Sequence, residues 1–177
     1  AVAMSQLSKS KIFVNILATY EPKLLFFCEW LRQLWSESLG KNGIGMTSSS
    51  ALLQLDQHSQ LQAWLEGPRD KIINIIINEN KSDQIVINSL DVKEANFLNG
   101  ISIDSINEVF SKVTIKSLHE SGRPFRVIFL NKLDEFTLGQ LFMHFMLETI
   151  LTSKLLNLNP FDQPAIDRVK KLTWEYF

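Results

Sequence analysis

The sequence predicts an α/β domain of three layers, in which helices cover both faces of a mainly parallel sheet. Short runs rich in β-branched and aromatic residues alternate along the chain with longer segments of helical periodicity. The run 72–77 is apolar at nearly every position, as strands buried on both faces of a parallel sheet usually are. Parallel strands need crossovers of helical length, and the spacing of these segments provides them. The chain has 177 residues, 45% of them hydrophobic, which suits one domain.

The first third of the chain predicts a strand, a long helix and a loop. Residues 11–17 are a short β-branched and aromatic run, as a buried strand should be. Pro22 suits a first helical turn, and apolar residues then recur at three- and four-residue spacing, which predicts a helix over 22–38. Residues 41–50 hold two glycines and three consecutive serines without apolar periodicity, which indicates a loop.

The middle of the chain contains the strand already named and weaker signals around it. Residues 52–65 are expected to be helical in part, and Gly67 with the following Pro68 should stop that helix. After the strand at 72–77, residues 78–83 predict a polar turn, and a weaker strand is possible at 84–88.

The last third alternates helix, strand and helix. Asp104 is a plausible N-cap of a helix that reaches about residue 120, and Gly122 should close it. Residues 125–130 predict another buried strand, and a long helix is expected over 134–156. The segment 160–177 opens with proline and is expected to be helical.

Charge and cysteine content exclude several classes of protein. Eighteen Lys and Arg against nineteen Asp and Glu leave a net charge of -1, so the chain has no excess of basic charge for nucleic acid or an anionic membrane surface. The dense apolar stretch 138–158 is interrupted by polar and charged residues, so we interpret it as a buried helix. A lone Cys28 cannot form an internal disulfide, which fits a reducing compartment, and we expect the cytoplasm.

The amino end suggests neither a secretory signal nor a natural start. It has no continuous apolar core followed by a small-residue cleavage site. The first residue is Ala1 and not Met, which we interpret as a sign of a cut from a longer chain.

Two residues at the end of the first helix are candidates for proton transfer. Gln33 and Glu37 are four positions apart and therefore share one helix face, where the glycine-containing loop begins. A carboxylate there lies at the negative end of the helix dipole, which favours protonation and could raise its pKa toward the range useful to a general base. A solvated glutamate at a helix end is the simpler interpretation.

Histidine and lysine supply further candidates. His58 lies in the polar stretch DQHSQLQ, and histidine is the side chain most easily poised for proton transfer near neutrality, although a structural or exposed histidine is commoner. No pair of histidines has the spacing of a metal site.

The segment 159–171 places turn formers before a helix with Lys170 and Lys171, where an anion could bind, but a charged surface turn is the alternative. Glu148 has apolar neighbours at helical spacing and needs a partner if it is buried.

Motifs of the common nucleotide, hydrolase and zinc-protease sites are absent from the sequence. Three other segments together resemble the carboxy-terminal sugar-isomerase (SIS) domain of the phosphoglucose isomerase family. They are QLWSESLGKNGIG at 33–45, LDQHSQLQAWLEGPRDK at 55–71, and LGQLFMHFMLE followed by NPFDQPAIDRVK at 138–170. Order and spacing agree along nearly the whole chain. The resemblance implies a three-layer αβα SIS-type domain with a flavodoxin-like sheet at 1–158, and a helical tail at 159–177 that carries the family lysine.

The resemblance also implies roles for the candidate residues. Glu37 corresponds to the family's catalytic base, which moves a proton between C2 and C1 of the open-chain sugar through a cis-enediol. His58 aligns with the histidine associated with ring opening, and Lys170 falls at the family lysine. Gln33 and Gln163 match glutamines near the substrate's phosphate or hydroxyls. The implied reaction interconverts glucose 6-phosphate and fructose 6-phosphate in glycolysis and gluconeogenesis. It needs no cofactor, because it involves no net oxidation.

The same resemblance implies that part of the site lies elsewhere. Family members carry a preceding SIS domain with a serine- and threonine-rich phosphate loop and an arginine, and neither segment occurs here. The family site lies at a homodimer interface and the family histidine reaches the neighbouring subunit's site, so the resemblance leaves His58 to act either there or in its own subunit. We therefore expect a carboxy-terminal domain that is inactive alone. A non-catalytic sugar-phosphate-binding SIS module and a purely structural dimerisation fragment are the alternatives.

Overall fold

The computed structural model describes residues 1–80, 85–88 and 92–177 of the chain. Its centre is a sheet of four parallel strands: β1 Val14–Thr19, β2 Thr47–Leu52, β3 Lys71–Asn78 and β4 Phe125–Leu130. The strand order β2-β1-β3-β4 means that the chain first moves to one side of β1 and then to the other. Flavodoxin-like sheets begin in the same order, with a reversal between β1 and β3. The predicted parallel sheet is confirmed.

Helices cover both faces of the sheet, so the predicted three layers are also confirmed. On one side lie α1 Val2–Ser8, α2 Leu25–Leu39 and α6 Glu135–Leu155, and on the other α3 Leu53–Ser59, α4 Leu61–Leu65 and α5 Ile103–Glu120. Short 3-10 helices occur at Pro22–Leu24 and Lys93–Leu98. The last helix, α7 Pro164–Glu175, has no buried residue.

The core is divided by the sheet into two apolar layers. On the α3 to α5 side, Ile73 and Ile75 pack with Trp64 and Leu118. On the α2 and α6 side, Leu17, Ile76, Phe27 and Phe145 belong to one cluster, and a second cluster beneath α1 contains Met4, Trp35 and Leu156. Burial of large apolar side chains on both faces is what the sequence of β3 predicts.

Two predictions in the first third of the chain are wrong in their bounds or type. The strand predicted at 11–17 is β1 at Val14–Thr19, because Ala18 and Thr19 are fully buried in the sheet while Phe13 is 59% exposed. The loop predicted at 41–50 ends earlier, since β2 begins at Thr47. This strand lies at the edge of the sheet and pairs with β1. Its backbone hydrogen bonds to β1 therefore form even though its sequence has no apolar run.

Most helix bounds agree with the sequence. The helix predicted at 22–38 is a 3-10 turn followed by α2, and the partly helical segment 52–65 contains α3 and α4. The N-cap of α5 is Ser102 and not Asp104: the Ser102 hydroxyl accepts a hydrogen bond from the Ser105 amide at 3.1 Å. Gly122 adopts φ 59° after α5, as predicted.

The long apolar helix α6 is buried on one side only. It starts after Asp134, whose carboxylate accepts a hydrogen bond from the Thr137 amide at 2.8 Å. Leu141 and Phe145 are buried, whereas Met143 and Leu151 are each 55% exposed, so the interpretation of 138–158 as a buried helix is only half correct. Among the helices of the described residues, none combines the length and apolarity needed to cross a membrane.

Glu148 has the partner that its apolar surroundings required. Both carboxylate oxygens accept hydrogen bonds from the Arg126 guanidinium, at 2.7 and 2.8 Å. Burial favours the neutral form of Glu148, but the hydrogen bonds and charge of Arg126, with the N-terminal amine, outweigh it and lower the pKa of the carboxyl. Arg126 also donates to Asn74, and Asn74 to Asn15, so a buried polar chain runs from α6 across three strands.

Two predictions fall partly outside the described residues. They are the polar turn at 78–83 and the weak strand at 84–88. Within the described part, Val86 forms an isolated antiparallel bridge with Ser102.

Candidate functional site

One face of α2 carries the polar side chains of the candidate site. Positions 29, 32, 33, 36 and 37 recur at spacings that place them on one side of the helix, away from the buried Leu31 and Trp35. An open depression of about 550 Å³ lies along this side. Its lining residues are Glu29, Trp30, Arg32, Gln33, Ser36 and Glu37.

Glu37 is held between two glutamine amides. The Gln33 side chain, one turn earlier on α2, donates to Glu37 Oε1 at 2.9 Å. The Gln163 side chain, from the residue before α7, donates to Glu37 Oε2 at 2.8 Å. Gln33 and Glu37 are exposed and Gln163 is partly buried, so the carboxylate is oriented and still accessible to a ligand.

The turn that carries Gln163 is fixed to the loop after α2. Lys41 Nζ donates to the carbonyl oxygen of Asn159 at 2.6 Å and to Asp162 Oδ1 at 2.8 Å. The hydrogen bond and charge of Lys41 hold the pKa of Asp162 below its ordinary value. These contacts join residues more than one hundred positions apart in the sequence.

The other end of the depression holds an ion pair. Ser50, on β2, donates to Glu29, and Arg32 forms an ion pair with Glu29 at 2.5 Å. The Ser50 hydrogen bond, followed by the hydrogen bond and charge of Arg32, lowers the pKa of Glu29. The Glu29 side chain is 39% exposed, so this pair lies at the surface.

Lys170 is on the helix that follows Gln163 and contacts neither Gln163 nor Glu37. It follows Gln163 by seven residues on α7, which corresponds to roughly 10 Å along the helix axis. Its Nζ is 4.0 Å from Asp167, and both side chains are largely exposed. The side chain is therefore free to reorient towards a ligand.

His58 lies near the carboxyl ends of the strands, whereas Glu37 lies towards their amino ends. Glu29 contacts Ser50 near the carboxyl end of β2, and Glu37 is eight residues later, roughly 12 Å further towards the amino ends of the strands. His58 is exposed on α3, which begins directly after β2 at the carboxyl edge. α2 and α3 also pack on opposite faces of the sheet, so the structure does not bring Glu37 and His58 of one molecule together.

The structure thus brings together three of the five predicted site residues, Gln33, Glu37 and Gln163. The contact of Lys41 was not predicted, although a lysine directly after a helix-ending glycine lies close to the helix's free carbonyls. The polar spacing 29, 32, 33, 36 and 37 was the signal that would have found Glu29 and Arg32. Within residues 1–80, 85–88 and 92–177, no three His, Cys, Asp or Glu side chains are grouped to hold a metal ion.

This arrangement suits proton transfer more than covalent chemistry. A carboxylate whose two oxygens each accept one amide hydrogen bond has a fixed orientation and retains lone pairs for a proton. The amides around it are neutral and can also donate to hydroxyls of a polar ligand. Fold and site define the class: a three-layer, parallel α/β domain of SIS-like architecture with an accessible carboxylate at an amide-lined surface.

Curated relatives of this chain share one name. The glucose-6-phosphate isomerase of Mycoplasmopsis synoviae is 37% identical over 97% of the chain and 41% of its own length. That of Acholeplasma laidlawii is 35% identical over 97% and 41%, and a probable glucose-6-phosphate isomerase of Methanococcus maripaludis is 35% identical over 92% and 36%. By sequence the chain is similar to one part of these longer glucose-6-phosphate isomerases.

A solved structure supports the fold independently. A hypothetical protein from Thermus thermophilus superposes on 99% of this chain and 43% of its own with a TM-score of 0.91 at 29% identity. No family model matches the chain. The chain thus spans about two fifths of the length of the proteins that it matches.

Proposed function

We propose that the chain is the carboxy-terminal SIS domain of an enzyme that interconverts glucose 6-phosphate and fructose 6-phosphate. The observation that carries the proposal is Glu37, a carboxylate oriented by two glutamine amides from distant parts of the chain. The names of the curated relatives support the same activity. The reaction belongs to glycolysis and gluconeogenesis, which supports the cytoplasm as its location.

In the proposed mechanism Glu37 is the general base. Its carboxylate takes the proton from C2 of the open-chain aldose while the C1 carbonyl oxygen gains a proton, which gives a cis-enediol. Return of the proton from Glu37 to C1, with loss of the O2 proton, gives the ketose. No electrons leave the sugar, so no redox cofactor is required. Gln33 and Gln163 orient the base and donate to the substrate.

Ring opening is assigned to His58 and Lys170. His58 lies near the carboxyl ends of the strands and Glu37 towards their amino ends. We therefore propose that His58 serves the site of a second subunit in a homodimer. Lys170 is on α7, the helix that directly follows Gln163. A preceding SIS domain would supply the phosphate-binding loop, in keeping with the greater length of the relatives.

The separation of Glu37 and His58 also favours one alternative for the isolated chain. A single copy carries the base without the ring-opening histidine beside it, so it could bind a sugar phosphate without converting it. Catalysis by the complete protein and its absence from the 177-residue chain would support the proposal over a purely non-catalytic SIS module.

Replacement of Glu37 tests the assignment of the base. In the complete protein that carries this chain and its preceding domain, Glu37→Gln should lower isomerase turnover at least about a hundredfold, because a glutamine cannot accept the C2 proton. A coupled assay of glucose 6-phosphate formation measures it. The 177-residue chain alone should show little turnover in the same assay.

A matched control is present in the same chain. Gln62 donates to Glu66 at 2.7 Å, the same Gln and Glu pair at four-residue spacing but away from the depression. Glu66→Gln should leave turnover unchanged. Wild-type activity in Glu37→Gln would exclude Glu37 as the base, and high activity of the chain alone would contradict the need for a second domain.

A further inference from the structure

Lys41 is unusual among the lysines of this surface because it is nearly buried. Its side chain is 9% exposed, whereas its partner Asp162 is 51% exposed. A lysine withdrawn from water needs partners for its ammonium group, and here it has the Asn159 carbonyl at 2.6 Å and the Asp162 carboxylate at 2.8 Å. The charge is therefore used to hold a specific segment and not to keep the surface solvated.

The segment that Lys41 holds is the turn 159–163, between the core and the last helix. Leu158 before the turn is buried in the core, and α7 after it has no buried residue. Within the turn, the Phe161 amide donates to the Asn159 side chain, which fixes only the local bend. The position of the turn relative to α2 thus depends on the contacts to the Lys41 ammonium, together with the hydrogen bond from Gln163 to Glu37.

The last residue of this turn is Gln163, whose side chain donates to Glu37 Oε2 at 2.8 Å. Gln163 directly follows Asp162, so the Lys41 contact and the Glu37 contact lie one residue apart on one short turn. Lys41 is itself four residues after Glu37, at the end of the same helix. The lysine therefore holds Glu37 on α2 and Gln163 in the turn at a fixed distance from each other.

We propose that Lys41 is a positioning residue: it clamps the turn 159–163 onto the end of α2 and so directs Gln163 at Glu37 and places α7 beside the depression. The clamp itself stands on the geometry, and its effect on catalysis rests on the proposed isomerase function. Lys41 acts through Gln163 and α7 and is not assigned contact with the substrate.

Hydrogen exchange in the 177-residue chain tests the clamp without any activity. Lys41→Met keeps most of the apolar stem and removes the ammonium. Backbone amides at 159–175 should then exchange at least about tenfold faster, because opening of the turn no longer breaks two charge-assisted hydrogen bonds. Amides of β1 and β3 should keep their wild-type rates. Asp162→Asn, which keeps the fold of Lys41's own loop, should give a smaller increase in the same segment.

Lys112→Met is the matched control. It removes another lysine and carboxylate pair, at 2.6 Å, but Lys112 is 71% exposed on α5 and holds no distant segment. It should leave exchange at 159–175 unchanged. Unchanged exchange at 159–175 in Lys41→Met, with the sheet intact, would disprove the clamp.

Kinetics of the complete protein then test the positioning role. Lys41→Met should lower kcat about tenfold or more with KM within about twofold, because the orientation of the base is lost while the phosphate-binding groups remain. A raised KM at unchanged kcat would contradict the role. If the wild-type protein has no isomerase activity, the proposed function fails, whereas the exchange result still decides whether Lys41 is a clamp.

Discussion

Two glutamates of this chain show how surroundings decide the role of a carboxylate. Glu148 is buried and meets the Arg126 guanidinium through both oxygens, so its charge is neutralised and serves packing of α6 on β4. Glu37 is exposed and accepts from two neutral amides, so its charge remains available to a ligand. Sequence alone marked both residues, but only the partners separate a structural carboxylate from a candidate base.

Cys28 provides a prediction at the scale of one residue. It is fully buried on α2, and burial, with the charge of Glu29, raises the pKa of its thiol to about 12. Since the thiolate is the reactive form, the folded chain should react with a disulfide reagent such as DTNB at pH 8 only as fast as it unfolds. In denaturant, one thiol per chain should react at once. Rapid labelling of the native chain would show that Cys28 is accessible.

At the scale of elements, the sequence predicted best those segments whose signals are local. β4 has the predicted bounds, α6 begins close to the predicted residue 134, and Gly122 closes α5 as expected, because caps and apolar runs act within a few residues. β2 was missed because its serines carry no apolar pattern and its existence depends on pairing with β1, 33 positions away for Asn15 and Ser48. Long-range pairing overrides local preference at such an edge.

In the candidate site, too, the contacts within one element were predicted and the contacts between distant segments were not. Gln33 and Glu37 were paired from their spacing, since one helix determines their geometry. The approach of Gln163 and Lys41 joins segments more than one hundred residues apart, and no local pattern encodes it. His58 was predicted from its polar surroundings and from the resemblance, but its position relative to Glu37 depends on which face of the sheet α2 and α3 cover, and no local pattern encodes that.

Arg123 gives a prediction at the scale of an element junction. It is buried after α5 and donates to the carbonyl oxygens of Leu65, Gly67 and Pro68, which fixes the turn between α4 and β3. Arg123→Met should lower the free energy of unfolding by about 2 kcal/mol, because the three carbonyl oxygens lose a buried donor. Urea unfolding followed by circular dichroism measures it.

Arg69 is the control for this variant. It donates to two carbonyl oxygens at 3.1 Å after α5 but is exposed, so water can replace it. Arg69→Met should cost less than about 1 kcal/mol. Equal losses in the two variants would contradict the importance of burial at Arg123.

At the scale of the whole molecule, a buried polar chain fixes how the layers meet. Ser48, Asn15, Asn74 and Arg126 lie on successive strands of the sheet and are joined by hydrogen bonds, which continue to Glu148 on α6. A shift of any strand by one residue would bury these groups without partners. The chain of contacts therefore specifies strand register as well as contributing stability.

The charged groups predict how the whole molecule responds to acid. Burial opposes ionisation of Glu148, but Arg126 outweighs it and lowers its pKa. Hydrogen bonds from Lys132 and the Thr137 amide lower the pKa of Asp134 to about 2. A carboxyl with a lower pKa in the folded state stabilises the fold above its ordinary pKa and loses that contribution as pH falls through the folded value. The free energy of unfolding should therefore decline from about pH 4.5 to about pH 2.

Urea midpoints measured across this range test the response. The decline should be shallower in Glu148→Gln, which starts less stable at neutral pH but has one carboxyl fewer to protonate. A fold that becomes more stable on acidification from pH 4.5 would contradict the lowered pKa values.

The exposed tail has a practical consequence for how variants of this chain are assessed. Since α7 has no buried residue, substitutions between Pro164 and Glu175 remove almost no core contact. A thermal-shift or expression screen would score them as neutral even where they displace Gln163 or Lys170. Damage in this segment is therefore invisible to stability-based selection, and such variants should be ranked by a functional assay.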